Sequence, residues 1–215
     1  MKIIFFGDSG TDANRKRGCD DAGRVPEEYS NEPRALGSGY VFLTATQLYY
    51  DKPNYYQVLN RGIAGDRLPQ LYARINLDVW REKPDVLNIW VGGNDLPREK
   101  NPNPTDLVRW GKIFRAMIQE TLERLPDIKI MICEPFWPRP VPAYKEMARA
   151  YAIEARKIAE EFNLSFVPLV DELDKAVEVY GYENCYYDGV HPSPVASKVI
   201  SDAWLRVFKA EVDKD

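Results

Sequence analysis

Short apolar runs alternate along this chain with stretches in which apolar residues return every three or four positions. The runs have the signature of strands buried on both faces and the stretches that of amphipathic helices, so their order predicts a parallel sheet with helices on both sides. Strands are predicted at Ile3 to Phe6, at Gln57-Val58-Leu59 with the tyrosines before it, at Val86 to Val91, at Ile128 to Cys133 and, briefly, at Ser165 to Pro168. Helical stripes run through Leu68, Leu71, Tyr72, Ile75 and Val79, then through Leu107, Phe114, Met117, Ile118, Leu122 and Leu125. A third joins Tyr144, Met147, Ala148, Tyr151, Ala155, Ile158 and Phe162. Periodicity accounts for these aromatics and methionines as core without invoking a ligand. A last helix opens with Ser193 as N-cap and Pro194 at its first position, and buries Val199, Ile200, Val207 and Phe208.

Two connections stand apart from this alternation. Thr11 to Gly39 is long and rich in charge, glycine and proline, whereas Glu134 to Pro142 carries two exposed-looking aromatics, Phe136 and Trp137, stiffened by prolines. Both leave the carboxyl ends of predicted strands, where open parallel sheets bind their ligands.

Composition narrows the picture. A chain of 215 residues is read as one domain, 1–215, with ample length for a core. With 45% hydrophobic residues and a formal net charge of -4, it carries no electrostatic footprint for nucleic acid. The one basic cluster, Arg15-Lys16-Arg17, is soon followed by Asp20 and Asp21 and reads as a solvated loop. Cys19, Cys133 and Cys185 suggest neither a disulfide framework nor a zinc spacing, which fits a reducing compartment. The apolar start Ile3 to Phe6 is too short for a secretory signal, and no segment approaches the ~18 apolar residues of a membrane span, so a cytoplasmic protein without a membrane partner is expected.

Candidate chemistry begins with the single histidine, His191, in the run Asp188-Gly189-Val190-His191-Pro192. Histidine is the side chain that ordinarily shuttles protons near neutral pH, so any histidine mechanism runs through this residue. Asp188, three positions earlier in a turn shaped by Gly189 and Pro192, can fold back onto one ring nitrogen and leave the other for a substrate. A nucleophile candidate, Ser9, lies in Gly7-Asp8-Ser9-Gly10-Thr11-Asp12 directly after the first strand. Asn60-Arg61-Gly62-Ile63-Ala64-Gly65-Asp66 follows the second strand, and its glycines permit close backbone approach. Gly92-Gly93-Asn94-Asp95 follows the third, where Asn94 can point its amide at a developing negative charge. Each segment alone reads equally as turn chemistry; the four together carry the signal.

In this order the four segments resemble the blocks of the SGNH hydrolases, also called GDSL esterases, and the resemblance spans Gly7 to His191. It implies a flavodoxin-like three-layer α/β/α sandwich with a five-stranded parallel sheet, in agreement with the periodicity. By motif position, Ser9 resembles the nucleophile, His191 the general base and Asp188 the residue that orients it. Gly65 and Asn94, with the N–H of Ser9, resemble the oxyanion donors, Gly62 being a weaker match. The resemblance implies no cofactor and no metal. One position departs from the family: Gly10 stands where leucine or isoleucine usually follows the serine, which implies a looser backbone there. Within the family, the stretch from Gly7 through Leu36-Gly37-Ser38-Gly39-Tyr40-Val41 is similar to intracellular acetylesterases that deacetylate xylo-oligosaccharides. The expected partner is therefore a small ester, an acetylated carbohydrate, with Trp137 and Tyr187 as candidate sugar-stacking residues. A homo-oligomer is compatible with the 12% aromatic content.

Three other readings compete. A longer acyl pocket would suit a lysophospholipase or thioesterase. A metal phosphoesterase could be built from Asp8, Asp12, Asp188 and His191, but it leaves Asn94 and Gly65 without a role. A non-catalytic flavodoxin-like binding module would need four ordered blocks by chance and lacks the spaced glycines of a dinucleotide site.

Overall fold

The structure, a computed structural model, describes residues 1–16, 32–97, 101 and 103–214. Strand β1 (Lys2–Gly7) leads into the one-turn helix α1 (Ser9–Asp12); α2 (Pro33–Leu36) and α3 (Tyr40–Asp51) precede β2 (Gln57–Gly62). Helix α4 (Leu68–Ile75) comes before β3 (Val86–Trp90), α5 (Leu107–Arg124) before β4 (Lys129–Cys133), and α6 (Pro142–Glu161) before β5 (Ser165–Val167). Helices α7 (Val170–Tyr180), α8 (Tyr182–Cys185) and α9 (Pro194–Val207) complete the chain.

All neighbouring strands pair in parallel, in the order β2-β1-β3-β4-β5. Successive side chains of a strand face opposite sides, so β1 feeds two cores at once. Ile3 and Phe5 join Tyr40, Val41, Leu48, Ile200, Trp204 and Phe208 beneath α3 and α9. Ile4 and Phe6 join Leu68, Leu71, Trp110, Phe114, Met117 and Ile158 beneath α4, α5 and α6. This is the three-layer α/β/α sandwich with the 2-1-3-4-5 strand order, which places the ends of β1 and β3 side by side at the sheet's switch point.

The elements depart from the sequence reading in particular places. Strand β2 starts after Tyr55 and Tyr56 and continues through Asn60, Arg61 and Gly62, which the polarity of these residues had assigned to the following turn. They are buried because each finds partners: the Asn60 amide donates to the carbonyls of Thr11 and Leu36, and Arg61 pairs with Glu82. Helix α3 was missed because its inward stripe includes Thr44, whose hydroxyl donates to Ser201. Helix α7, also missed, fully buries only Leu173 and Ala176. Ser193 caps α9 as expected, while Val199 and Val207 are half-buried rather than core.

Arg15 overturns the solvated-loop expectation. It is buried, with Nε donating to the Gly62 carbonyl at 2.9 Å, whereas Lys16 is exposed. Arg17, Cys19, Asp20 and Asp21 lie outside the described residues, as does the middle of the Thr11 to Gly39 connection. Trp137 is 6% exposed and Phe136 half-buried, so the exposed-looking aromatics after β4 in fact pack inward. Among the described residues, no helix is long and apolar enough to cross a membrane.

Candidate active site

The end of β1 delivers Ser9 to the carboxyl edge of the sheet. Asp8 caps the turn that follows, its carboxylate accepting the Gly10 N–H at 3.0 Å, and Ser9 takes the first helical position. At the first position of a helix the N–H has no acceptor within that helix, which leaves the Ser9 N–H as a candidate donor beside its hydroxyl. Desolvation in this position pushes the Asp8 carboxyl up to about 6, against the lowering effect of the Gly10 hydrogen bond.

Gly10 has a packing reason. A Cβ there would come within 2.7 Å of the Trp90 indole, a ring that is 6% exposed at the end of β3. A large tryptophan thus occupies the room that a branched residue after the serine would need. The looser backbone expected at this position is countered by the Asp8 cap and by the indole packed over it.

Asp188 and His191 are held by one turn. One carboxylate oxygen of Asp188 accepts the backbone N–H groups of Val190 and His191, at 3.0 and 2.8 Å, and the other meets His191 Nδ1 at 2.6 Å. Partial burial alone would raise the Asp188 carboxyl, but these bonds and the nearby imidazole hold it at about 2. An ionised carboxylate only accepts, so Nδ1 is the donor, and a neutral ring then presents Nε2 as an acceptor. Nε2 lies 2.9 Å from Ser9 Oγ, across 182 residues of chain. Serine, imidazole and carboxylate form one hydrogen-bonded line, the arrangement that activates a hydroxyl as a nucleophile.

Asn94 lines the same space as Ser9, Trp137 and His191. Its amide nitrogen donates to the Asp66 carbonyl at 3.1 Å, and an amide nitrogen carries two hydrogens. Gly65, the residue before Asp66, is exposed at φ +86, a conformation that favours glycine. The Gly62 N–H is already engaged within the fold, bonding to Asn60 Oδ1. A Cβ on Gly62 would lie 2.2 Å from the Asp12 nitrogen, so its role is close packing of β2 against α1.

Tyr187 is 62% exposed and stacks on the His191 ring at 5.9 Å. It lines a second, more polar cleft with Asn14, Ser38 and Gly39 that also reaches Ser9 and His191. The carboxylates of the phosphoesterase reading do not converge: Asp12 accepts the backbone N–H groups of Arg15 and Ala64. Among the described residues, no group of three histidine, cysteine, aspartate or glutamate side chains gathers as a metal set.

Sequence reasoning missed the supports. Arg74 donates to the Asp66 carboxylate at 2.7 Å and to the carbonyls of Arg61 and Gly7, tying the Gly65 loop to the ends of β1 and β2. Thr11, Tyr40 and Asn88 form a buried polar chain behind α1. Neither set has a motif, because its partners are remote in sequence. Asp95 is a third support: its carboxylate accepts the Leu68 N–H at the start of α4, and burial pushes it up to about 7. A carboxyl raised on folding favours the folded state while protonated, and that contribution is lost as pH climbs from about 4 through about 7. Asp95→Asn is expected to flatten the fall in unfolding free energy across that window, as read by denaturant melts at successive pH values.

The sequence profile of the GDSL-like lipase/acylhydrolase family matches residues 5–199. The chain belongs to this family. As a GDSL-like acylhydrolase it is similar to an acetylxylan esterase from Geobacillus stearothermophilus, 29% identical over 95% of this chain and 92% of that protein. A crystal structure of a putative GDSL-like lipase from Parabacteroides merdae superposes with a TM-score of 0.84 at 33% identity, covering 96% of this chain and 94% of that one. A catalytic mutant of the Geobacillus enzyme superposes with a TM-score of 0.82 at 28% identity, covering 95% and 92%. Family and relatives together make this GDSL-like protein a carboxylic ester hydrolase of the serine esterase type.

Proposed function

We propose that this GDSL-like esterase removes acetyl groups from carbohydrates such as xylo-oligosaccharides, with Ser9 as nucleophile. His191 Nε2 takes the hydroxyl proton as Oγ attacks the ester carbonyl, and Asp188 steadies the imidazolium that forms. The N–H groups of Ser9 and Gly65 and the amide of Asn94 receive the negative oxygen. Collapse expels the alcohol with the proton from His191, and water activated by the same ring releases acetate. The Ser9–His191–Asp188 line supports this chemistry.

The observation that carries the substrate reading is the size of the space at Ser9. It measures about 50 Å³ and is lined on its apolar side by Trp90, Val91, Phe136, Trp137 and Pro138, which suits a methyl group. The polar cleft beneath Tyr187 suits a hydroxylated leaving group. A relative named as an acetylxylan esterase supports the same reading, and its solved catalytic mutants, which replace a histidine, an aspartate and a serine, support the proposed catalytic residues. A lysophospholipase or thioesterase would need more room than this space provides.

Two measurements test the proposal. A serine-directed fluorophosphonate is expected to form one adduct, at Ser9, in the folded protein; absence of that adduct removes the nucleophile. Across acetyl and octanoyl esters, kcat/KM is expected to favour acetyl by more than ~10-fold, given what a few methylenes without room against the Phe136–Trp137 side of the space are worth. Preference for octanoyl would replace the deacetylase reading with the lipolytic one.

A further inference from the structure

Adjoining the space at Ser9 is a second, larger and partly open cavity of about 260 Å³, lined by the connection after β4 and by helices α6 and α7. Its lining is mostly apolar, with Leu173, Val177 and Tyr186 among its walls, and it also includes Lys145, Arg149 and Asp174. Phe136, Trp137 and Pro138 line both spaces and so stand between them. Phe136 stacks on Trp90 at 5.5 Å and leans on Tyr186, while Trp137 packs edge-on against Tyr144. Pro135, Pro138 and Pro140 restrict the backbone that carries these two rings.

We infer that Phe136, with Trp137 and Pro138, is the wall that restricts the acyl group at Ser9 to acetyl size, and that the cavity behind it takes a medium-length alkyl chain once the wall is thinned. The inference rests on Ser9 being the nucleophile. Size and polarity both favour this occupant: the near space suits a methyl group, and an extended chain leaving it toward Phe136 enters a room whose lining is predominantly apolar, with Lys145, Arg149 and Asp174 as its charged members. In the thinned variant the chemistry is unchanged: the Ser9 Oγ to acyl carbon bond forms, the alcohol leaves with the proton from His191, and water hydrolyses the longer acyl-enzyme.

The experiment compares kcat/KM for 4-nitrophenyl octanoate and acetate. In Phe136→Ala the octanoate-to-acetate ratio is expected to rise ~10-fold or more, and Val177→Phe added to that variant, which refills the cavity, is expected to return it toward wild type. Thermal melts confirm that each variant folds, and Phe136→Leu replaces Phe136→Ala if the latter does not. A ratio that stays within twofold of wild type in a folded Phe136 variant overturns the wall. A raised ratio that Val177→Phe leaves untouched overturns the cavity as the chain's destination. Ser9→Ala in the Phe136→Ala background separates the two levels: hydrolysis of both esters surviving it would mean that the nucleophile reading, rather than the wall, has failed.

Discussion

His191→Ala leaves a folded protein whose kcat on acetyl esters falls by ~10⁴-fold or more, as expected when the base of a serine triad is removed. The side chain is 33% exposed, so its loss opens no core cavity. Its ring bonds to Asp188 and Ser9 sit at the surface of the site, and losing them costs on the order of 1 kcal/mol each at most. The backbone turn survives, because Asp188 still accepts the N–H groups of residues 190 and 191. No second histidine exists to substitute for it. Steady-state kinetics beside a thermal melt checks both halves: a folded variant that retains more than about a hundredth of wild-type kcat would remove His191 from its role. Asp188, held at about 2, stays ionised at any ordinary assay pH, so an acid limb in the rate profile would not report its protonation.

The second large effect is at Asn94. Asn94→Ala is expected to lower kcat by ~10²- to 10³-fold, or about 3 to 4 kcal/mol of transition-state stabilisation, with KM changed much less. The bond from Asn94 to the Asp66 carbonyl adds a second route to the same loss. Asp66 is the neighbour of Gly65, so freeing its carbonyl is expected to loosen the other proposed donor as well. The stability cost is that of one ordinary hydrogen bond, about 1 kcal/mol. Near-wild-type kcat in this variant would take Asn94 out of the site.

The residues of the candidate site were legible because each stands at the end of a strand or ahead of a helix, where turn chemistry and sheet geometry coincide. Ser9 follows β1, Asn94 follows β3, and Asp188 and His191 precede the Ser193 cap of α9. Gly62 and Gly65 looked alike in sequence, yet one is packed against the Asp12 backbone and the other turns at positive φ on the exposed rim. Arg15 read as one of a solvated trio, but a carbonyl from β2 waits for it inside. Trp137 read as an exposed platform and is instead wall and core together. In each case the deciding partner lies far away along the chain, where local pattern carries no information.

The sequence by itself determined the alternation that makes a two-sided parallel sheet, and the kinds of reacting group that its edge would present. Apolar period and side-chain chemistry are local properties, readable residue by residue. Tertiary structure alone decided that Ser9 and His191 meet at 2.9 Å, that Trp90 fills the room beside Gly10, and that the space beside Ser9 is about 50 Å³ with a larger cavity adjoining it. Those are distances and volumes set by how helices pack on the sheet, so they exist only once both cores have closed.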